Sequence, residues 1–148
     1  LHEFNELAGA GRLHEAVALC RGELLPELDT DWVYDERDAH AERLAGVLGQ
    51  IAGQAVAAGD TRAAVAWARR RALLRPFDER AARDLIRWLA RSGDAPGALV
   101  AYGRLRVRLR DELGVPPSPQ TRQLVSLVRA GQAARAHARA RGTGWPPD

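Results

Sequence analysis

Two stretches of this chain repeat each other at a distance of 34 residues. Gly59-Asp60 recurs as Gly93-Asp94, and Ala64 recurs as Ala98. A fixed period of this length indicates structural units that stack in a row, each contacting its neighbours. Around these positions apolar residues recur every three or four residues, which is the spacing of one face of an α-helix. We therefore expect a series of packed helices.

A period of 34 residues is that of tetratricopeptide repeats, in which each unit is a pair of antiparallel helices. One pair has its apolar positions at residues 48–55 and 64–68 and closes at Pro76, and the next has them at residues 82–89 and 98–102. The sequence therefore predicts an all-α, tetratricopeptide-like domain.

A weaker echo of the repeat lies near the start of the chain, where Gly11 and Ala16 precede Gly59 and Ala64 by 48 residues. It adds a third pair, separated from the others by an insertion. We predict a right-handed stack of antiparallel helix pairs with about seven helices. The expected helices are residues 3–8, 13–21, 32–57, 62–74, 79–91, 98–112 and 119–128.

The residues from Ala98 to Thr121 predict a helix, a rigid elbow and a second helix. One helix face, which must be buried, is formed by Ala98, Tyr102, Leu105, Leu109 and Leu113. Gly114 ends this pattern in the way that helices commonly terminate. Ser118 followed by Pro119 is typical of an N-cap with proline at the first helical position.

These residues resemble the bacterial transcriptional activator domain of Streptomyces antibiotic regulatory proteins. The most specific element is Glu-Leu-Gly-x-x-Pro-Ser-Pro, within the run from Tyr102 to Thr121. Pro116 departs from the pattern by doubling the proline before Ser118. The resemblance covers about residues 1–131, and its structural positions are Trp32, Pro76, Tyr102, Leu113, Gly114, Ser118 and Pro119.

The resemblance implies a cytoplasmic regulatory or activation domain of secondary metabolism. Its partner would be a protein, namely RNA polymerase, a sigma factor or a second protomer, and DNA would be bound by a separate domain that this chain lacks. Residues 1–131 would form the domain, and residues 132–148 a linker or disordered tail in which the last helix extends to Gly142 at most. The alternative is a tetratricopeptide protein-binding scaffold unrelated to transcription.

Charge is segregated along the chain. The net charge is +3, but residues 23–42 contain eight acidic residues and one arginine, whereas residues 62–110 contain thirteen arginines and four acidic residues. One end should therefore be negative and the other positive. The arginines are either a solvated surface or a docking surface for an acidic protein. No aromatic residues interleave with them as in a single-strand nucleic-acid groove, so direct binding of nucleic acid is not expected.

Four arginines on one predicted helix are the candidate partner-binding residues. Alternate residues advance about 200° around a helix. Arg104 and Arg108 should therefore lie on one flank of the buried face, and Arg106 and Arg110 on the other. The aromatic residues Trp67, Trp88 and Tyr102 are expected to serve packing.

The sequence predicts no catalytic, cofactor or metal site, and hence no enzyme. The four histidines are scattered singly, and the single cysteine, Cys20, is typical of a small buried hydrophobe. Lysine is absent, which excludes a phosphate-binding Gly-x-x-x-x-Gly-Lys loop. We expect no transmembrane span, because arginines interrupt every apolar stretch, and no signal peptide. The lack of methionine indicates a piece of a longer protein.

Overall fold

The computed structural model describes residues 2–20 and 31–142, and of residues 31–33 the backbone alone. Within these ranges the regular secondary structure is helical, without a β-strand. The elements are α1 (His2–Gly9), α2 (Leu13–Leu19), α3 (Asp31–Ala57), α4 (Thr61–Leu74), α5 (Glu79–Arg91), α6 (Ala95–Arg108) and α7 (Pro119–Gly142), with a π-helical turn, Leu109–Leu113, that continues α6. The predicted all-α fold is confirmed.

Consecutive helices pack as pairs: α1 with α2, α3 with α4, and α5 with α6. Helix α4 joins the second pair to the third by packing on α5, and α7 packs on both α5 and α6. This is the tetratricopeptide-like arrangement that the 34-residue period predicts. None of the helices in the described ranges is both long enough and apolar enough to cross a membrane.

The repeated Gly-Asp dipeptide forms the turn inside each helix pair. Gly59 and Gly93 have positive φ angles of 79° and 88°, a conformation that glycine adopts without steric cost. The aspartate that follows each glycine caps the next helix: Asp60 accepts from the backbone N–H of Ala63 at 3.0 Å, and Asp94 from that of Gly97 at 2.8 Å. The repeat signature is therefore a helix stop followed by a helix start.

Two apolar clusters form the core, and the repeat register predicts their central residues. The first cluster joins α1, α2 and α3, and the second joins α5, α6 and α7 around Ala68 of α4. Trp67 packs on the first cluster and Trp88 on the second, as expected of packing residues. Residues with at most 2% of their surface exposed include Leu48, Ile51, Ala64, Ile86, Ala98 and Leu105.

The start of α6 and the burial of its end differ from the prediction. Helix α6 begins at Ala95, three residues early, because Asp94 caps it and Pro96 occupies a first-turn position where its missing N–H is not needed. Leu113, expected in the buried face, is 55% exposed. It is the last residue of the π-helical turn, and the chain turns away directly after it at Gly114.

Helix α7 extends to Gly142, 14 residues beyond the predicted end at residue 128 and up to the limit expected for it, so residues 132–142 are helical and exposed. The boundary between a domain at residues 1–131 and a tail at residues 132–148 stays a prediction. Helix α3 begins at Asp31, one residue before the predicted start at residue 32. The side chain of Trp32 and the end of the tail lie outside the described residues.

Candidate functional site

The elbow between α6 and α7 has the geometry that its sequence predicts. Gly114 lies in the left-handed region, with φ of 65°, and ends the helix. Pro119 begins α7, and the hydroxyl of Ser118 accepts a hydrogen bond from the backbone N–H of Thr121 at 3.4 Å. Pro117 between them is buried. The Gly-x-x-Pro-Ser-Pro element is thus a helix stop, a buried turn and a helix start.

The elbow is bonded to α5 by Glu79, a residue for which the sequence predicts no role. Its carboxylate accepts a 2.6 Å hydrogen bond from the Thr121 hydroxyl and a 2.9 Å bond from the Ser118 backbone N–H. Arg83 donates to the Thr121 oxygen at 3.1 Å. Burial alone would raise the pKa of Glu79, but the bonds from Thr121 and Ser118 and the charge of Arg83 together lower it. Glu79 is therefore held as a carboxylate that fixes the angle of α7.

A groove runs between α4 and α6, above α5. Leu73 stands on its α4 wall and Val100 on its α6 wall, while Ala82 and Leu85 of α5 lie at its floor. The cavity has a volume of about 230 Å³. Leu73 is 72% exposed and Val100 54% exposed. The groove therefore presents apolar side chains to solvent that the fold does not cover.

Four arginines rim this groove. Two are bound within the chain: Arg75 forms a 2.5 Å ion pair with Asp38, and Arg108 donates to the backbone carbonyl of Pro76 at 2.8 Å. The other two, Arg69 on α4 and Arg104 on α6, form no ion pair within the described residues. Both side chains are exposed. The α4 edge and the α6 edge of the groove therefore each carry an unpaired positive charge.

The one acidic residue among those that line the groove is Asp78. Its carboxylate already accepts from the backbone N–H groups of Arg80 and Ala81, at 2.9 and 3.2 Å, as the N-cap of α5. It therefore neutralises neither Arg69 nor Arg104 directly.

The structure brings two of the four predicted arginines into the groove and leaves two outside it. Arg104 and Arg108 line the groove, whereas Arg106 and Arg110 are exposed elsewhere on the helix. Arg110 pairs with the neighbouring Asp111 at 2.9 Å. Arg104 and Arg108 therefore share the groove side of the helix, and the role of the four arginines in partner binding stays a prediction.

Sequence reasoning missed the opposite wall of the groove. Arg69 is the first of three consecutive arginines on α4. Within the described part of the chain Arg71 forms an ion pair with Asp84 at 2.8 Å, whereas Arg69 forms none. Leu73 follows on α4 and departs from the buried register of Ala64 and Ala68. A leucine outside the buried register of its helix is the sequence feature that could have indicated this wall. A single exposed leucine is common on protein surfaces, however, so Leu73 alone did not predict a groove.

A larger, more polar cavity of about 670 Å³ lies between α3 and the connection from α4 to α5. Its charges are largely matched within the chain, since Arg75 pairs with Asp38 and Arg71 with Asp84. Two of its arginines are therefore already paired with carboxylates of the same chain. It is therefore a weaker candidate for a binding site than the groove.

The described residues contain no group of three or more His, Cys, Asp or Glu side chains that could hold a metal ion. Cys20, expected to be a buried hydrophobe, is half-buried, and its sulfur lies 3.5 Å from Nε2 of His40. Burial raises the pKa of the Cys20 thiol and lowers that of His40, so both groups favour their neutral forms. This pair lacks the lowered thiol pKa of a reactive cysteine.

A stack of helix pairs with an open groove defines a helical-repeat domain, a class that binds other proteins through its extended surface. Residues 2–129 match the family model of the bacterial transcriptional activator domain. The chain therefore belongs to this family, and it is a regulatory domain of the transcriptional activator type. The family is one of regulatory domains and not of enzymes. Searches of curated proteins and of solved structures gave no match.

Proposed function

We propose that this chain is the regulatory domain of an antibiotic-regulatory-type transcription factor that works in the cytoplasm and controls secondary metabolism. The family match supports a role in transcription. The elbow supports the finer assignment, because the residues that carry the resemblance also build the Glu79 network. DNA is bound by a separate domain outside this chain.

The domain acts by protein contact with the transcription machinery, with RNA polymerase or its sigma factor as partner. The observation that carries this proposal is the α4–α6 groove, where exposed Leu73 and Val100 lie beside the unpaired Arg69 and Arg104. Apolar surface surrounded by charge of one sign is typical of a surface that binds another protein of opposite charge.

Retention of RNA polymerase holoenzyme by the immobilised chain tests this function. We expect the chain to retain holoenzyme, and the double reversal Arg104→Glu with Arg108→Glu to reduce that retention. The matched control is Arg106→Glu with Arg110→Glu, which changes the net charge equally on the other flank of the helix. Failure to retain holoenzyme would contradict the proposal and favour the alternative scaffold unrelated to transcription. An equal loss in both double variants would contradict the groove as the contact surface.

A further inference from the structure

We propose that the α4–α6 groove binds an amphipathic α-helix of a partner protein, with its apolar face in the groove and carboxylates along both edges of that face. The inference rests on the proposed function, because it names the chemistry of the segment that the transcription machinery would present.

The size of the groove favours a few side chains of a partner over an enclosed small molecule. Pockets for drug-sized ligands usually have volumes of about 300–1,000 Å³. The α4–α6 groove, at about 230 Å³, lies below that range and is open to solvent along its walls. Leu73 and Val100 stand at those walls and are more than half exposed. An apolar helix face that covers both would remove this surface from water, which is favourable.

The lining of the groove selects a helix among the common forms of bound peptide. An extended strand binds at the open edge of a β-sheet, and the described part of the chain has no sheet. A polyproline segment binds in a groove lined by aromatic rings, whereas the residues of this groove include no Phe, Tyr or Trp. An apolar groove between helices is the surface on which an amphipathic helix docks, with anchors spaced at i, i+3, i+4 and i+7.

The charges require carboxylates on both edges of the bound helix. Arg69 lies on the α4 wall and Arg104 on the α6 wall, so the two unpaired guanidinium groups flank the apolar strip from opposite sides. An arginine can hold a carboxylate with two parallel hydrogen bonds, which fixes the orientation of the partner as well as attracting it. A helix with glutamates on one edge only would bind either Arg69 or Arg104 and leave the other arginine without a carboxylate.

Two other occupants fit the groove less well. Nucleic acid would supply anionic phosphates, but it would leave Leu73 and Val100 uncovered and would find no aromatic ring on which to stack its bases. A second copy of this chain would have to offer acidic α3, where Asp38 pairs with Arg75 and Glu36 with Arg43 at 3.2 Å. Among the described α3 side chains this leaves two exposed carboxylates, Asp35 and Glu42, for the groove. The structure therefore favours a different protein.

Binding of synthetic helical peptides to the full chain, measured by fluorescence anisotropy, tests the inference. The probe has about 16 residues, above the length at which isolated helices are marginal. It carries leucines at i, i+3, i+4 and i+7 and glutamates on both edges of the leucine face. One control peptide replaces glutamate with lysine, and a second replaces leucine with serine. We expect the glutamate peptide to bind and both controls to lose binding.

Variants of the chain locate the site. We expect Leu73→Ser and Arg104→Glu each to weaken binding of the glutamate peptide by about tenfold or more. Because both side chains are exposed, neither change removes core packing. Leu127→Ser, at a residue 67% exposed on α7, and Arg106→Glu are the matched controls and should leave binding unchanged. Thermal melts of the four variants confirm that each is folded.

Equal binding of the glutamate and lysine peptides, or no effect of Leu73→Ser, would overturn the inference. Self-association of the chain that displaces the peptide and disappears in Arg104→Glu would also overturn it, by assigning the groove to a second copy. The same variants separate this inference from the proposed function. If Leu73→Ser retains polymerase as well as the parent does, the function stands and the groove inference fails. If the peptide binds the groove but polymerase is not retained, the function fails and the inference stands.

Discussion

Glu79 and Thr121 are 42 residues apart and joined by a 2.6 Å hydrogen bond. Glu79 opens α5, and Thr121 lies fully buried in the first turn of α7. The bond connects the last complete helix pair to the helix that covers its end. Because Ser118 donates its backbone N–H to the same carboxylate, the elbow is bonded to α5 at two points. The residues that carry the family resemblance are therefore joined through Glu79.

Loss of the Thr121 hydroxyl should destabilise the fold. Thr121→Val keeps the size of the side chain, but it leaves Glu79 without its shortest hydrogen bond. We expect the free energy of unfolding to fall by about 1.5–3 kcal/mol, the usual net contribution of a hydrogen bond to a charged group. Urea unfolding followed by circular dichroism measures the change. The control is Ser126→Ala, since the exposed Ser126 hydroxyl bonds only to a carbonyl of its own helix. Equal stability of the two variants would contradict a structural role for the network.

The lowered pKa of Glu79 predicts the pH dependence of this contribution. A carboxylate whose pKa is lower in the folded state stabilises the fold fully above its ordinary value, here 4.5, and loses that contribution as the pH falls through the folded pKa. Glu79→Gln should therefore be less stable than the parent at pH 7, and the difference should shrink as the pH falls below 4.5. The other carboxyl groups titrate in both proteins, so the difference isolates Glu79. A difference that stays constant with pH would show that its charge does not matter.

Two glycines should respond in opposite directions to the same substitution. Gly114 has φ of 65°, so Gly114→Ala places a β-carbon in the left-handed region and should cost about 1–2 kcal/mol. Gly131 lies inside α7 with open space where a β-carbon would be, so Gly131→Ala should stabilise the protein by up to about 1 kcal/mol. Urea unfolding of both variants checks the signs. Stabilisation by Gly114→Ala would contradict the elbow geometry.

The sequence predicts those parts of the fold that depend on near neighbours. Gly59 and Asp60 act within one turn, through a backbone angle and a hydrogen bond three residues away, so their repetition at Gly93 and Asp94 shows the helix pairs directly. The helix end at Gly114 is likewise predicted from a local feature, the backbone angle of one glycine. The flank shared by Arg104 and Arg108 follows from helical geometry alone.

The sequence does not predict contacts between helices that are distant along the chain. The role of Glu79 depends on which face of α5 meets the elbow, and the nearest of its partners is Ser118, 39 residues away. The groove likewise depends on Arg69 and Leu73 of α4 facing Val100 of α6 across α5. The prediction that Leu113 is buried is wrong for the same reason. Periodicity places Leu113 on the buried face, but only the packed structure shows that its side chain is exposed.

Gly49 on α3 leaves room for the side chain of Arg71. A β-carbon at Gly49 would lie 3.0 Å from Nη1 of Arg71, and that same nitrogen is held by Asp84 at 2.8 Å. Gly49→Ala should therefore fail to stabilise the helix, because the propensity gain is offset by displacement of the ion pair. Gly53→Ala, with open space around it, should stabilise by about 0.5–1 kcal/mol. Thermal melts compare the two, and equal gains would contradict the close approach of Arg71.

Three leucines test the helix faces. Leu85→Ala and Leu109→Ala should each cost about 2–5 kcal/mol, because both side chains are at least 94% buried and their removal leaves cavities. Leu113→Ala should cost much less, since that side chain is more than half exposed. The three variants are compared by their urea unfolding midpoints, provided that the dependence of the unfolding free energy on urea concentration is the same in each. A cost at Leu113 equal to that at Leu109 would show that the end of the π-helical turn is covered.

The distribution of arginines predicts how the chain behaves with DNA. Helix α7 contains five arginines and no acidic residue, whereas the chain before it is nearly balanced in charge. Phosphate contacts by such a helix are independent of sequence and weaken steeply with salt. We expect the chain to bind a promoter fragment and a scrambled fragment equally weakly at low salt, and neither at physiological salt. Gel-shift titrations at two salt concentrations check this, with Arg135→Gln and Arg139→Gln together reducing the low-salt binding. Selective retention of the promoter fragment at physiological salt would contradict the assignment of DNA recognition to a separate domain.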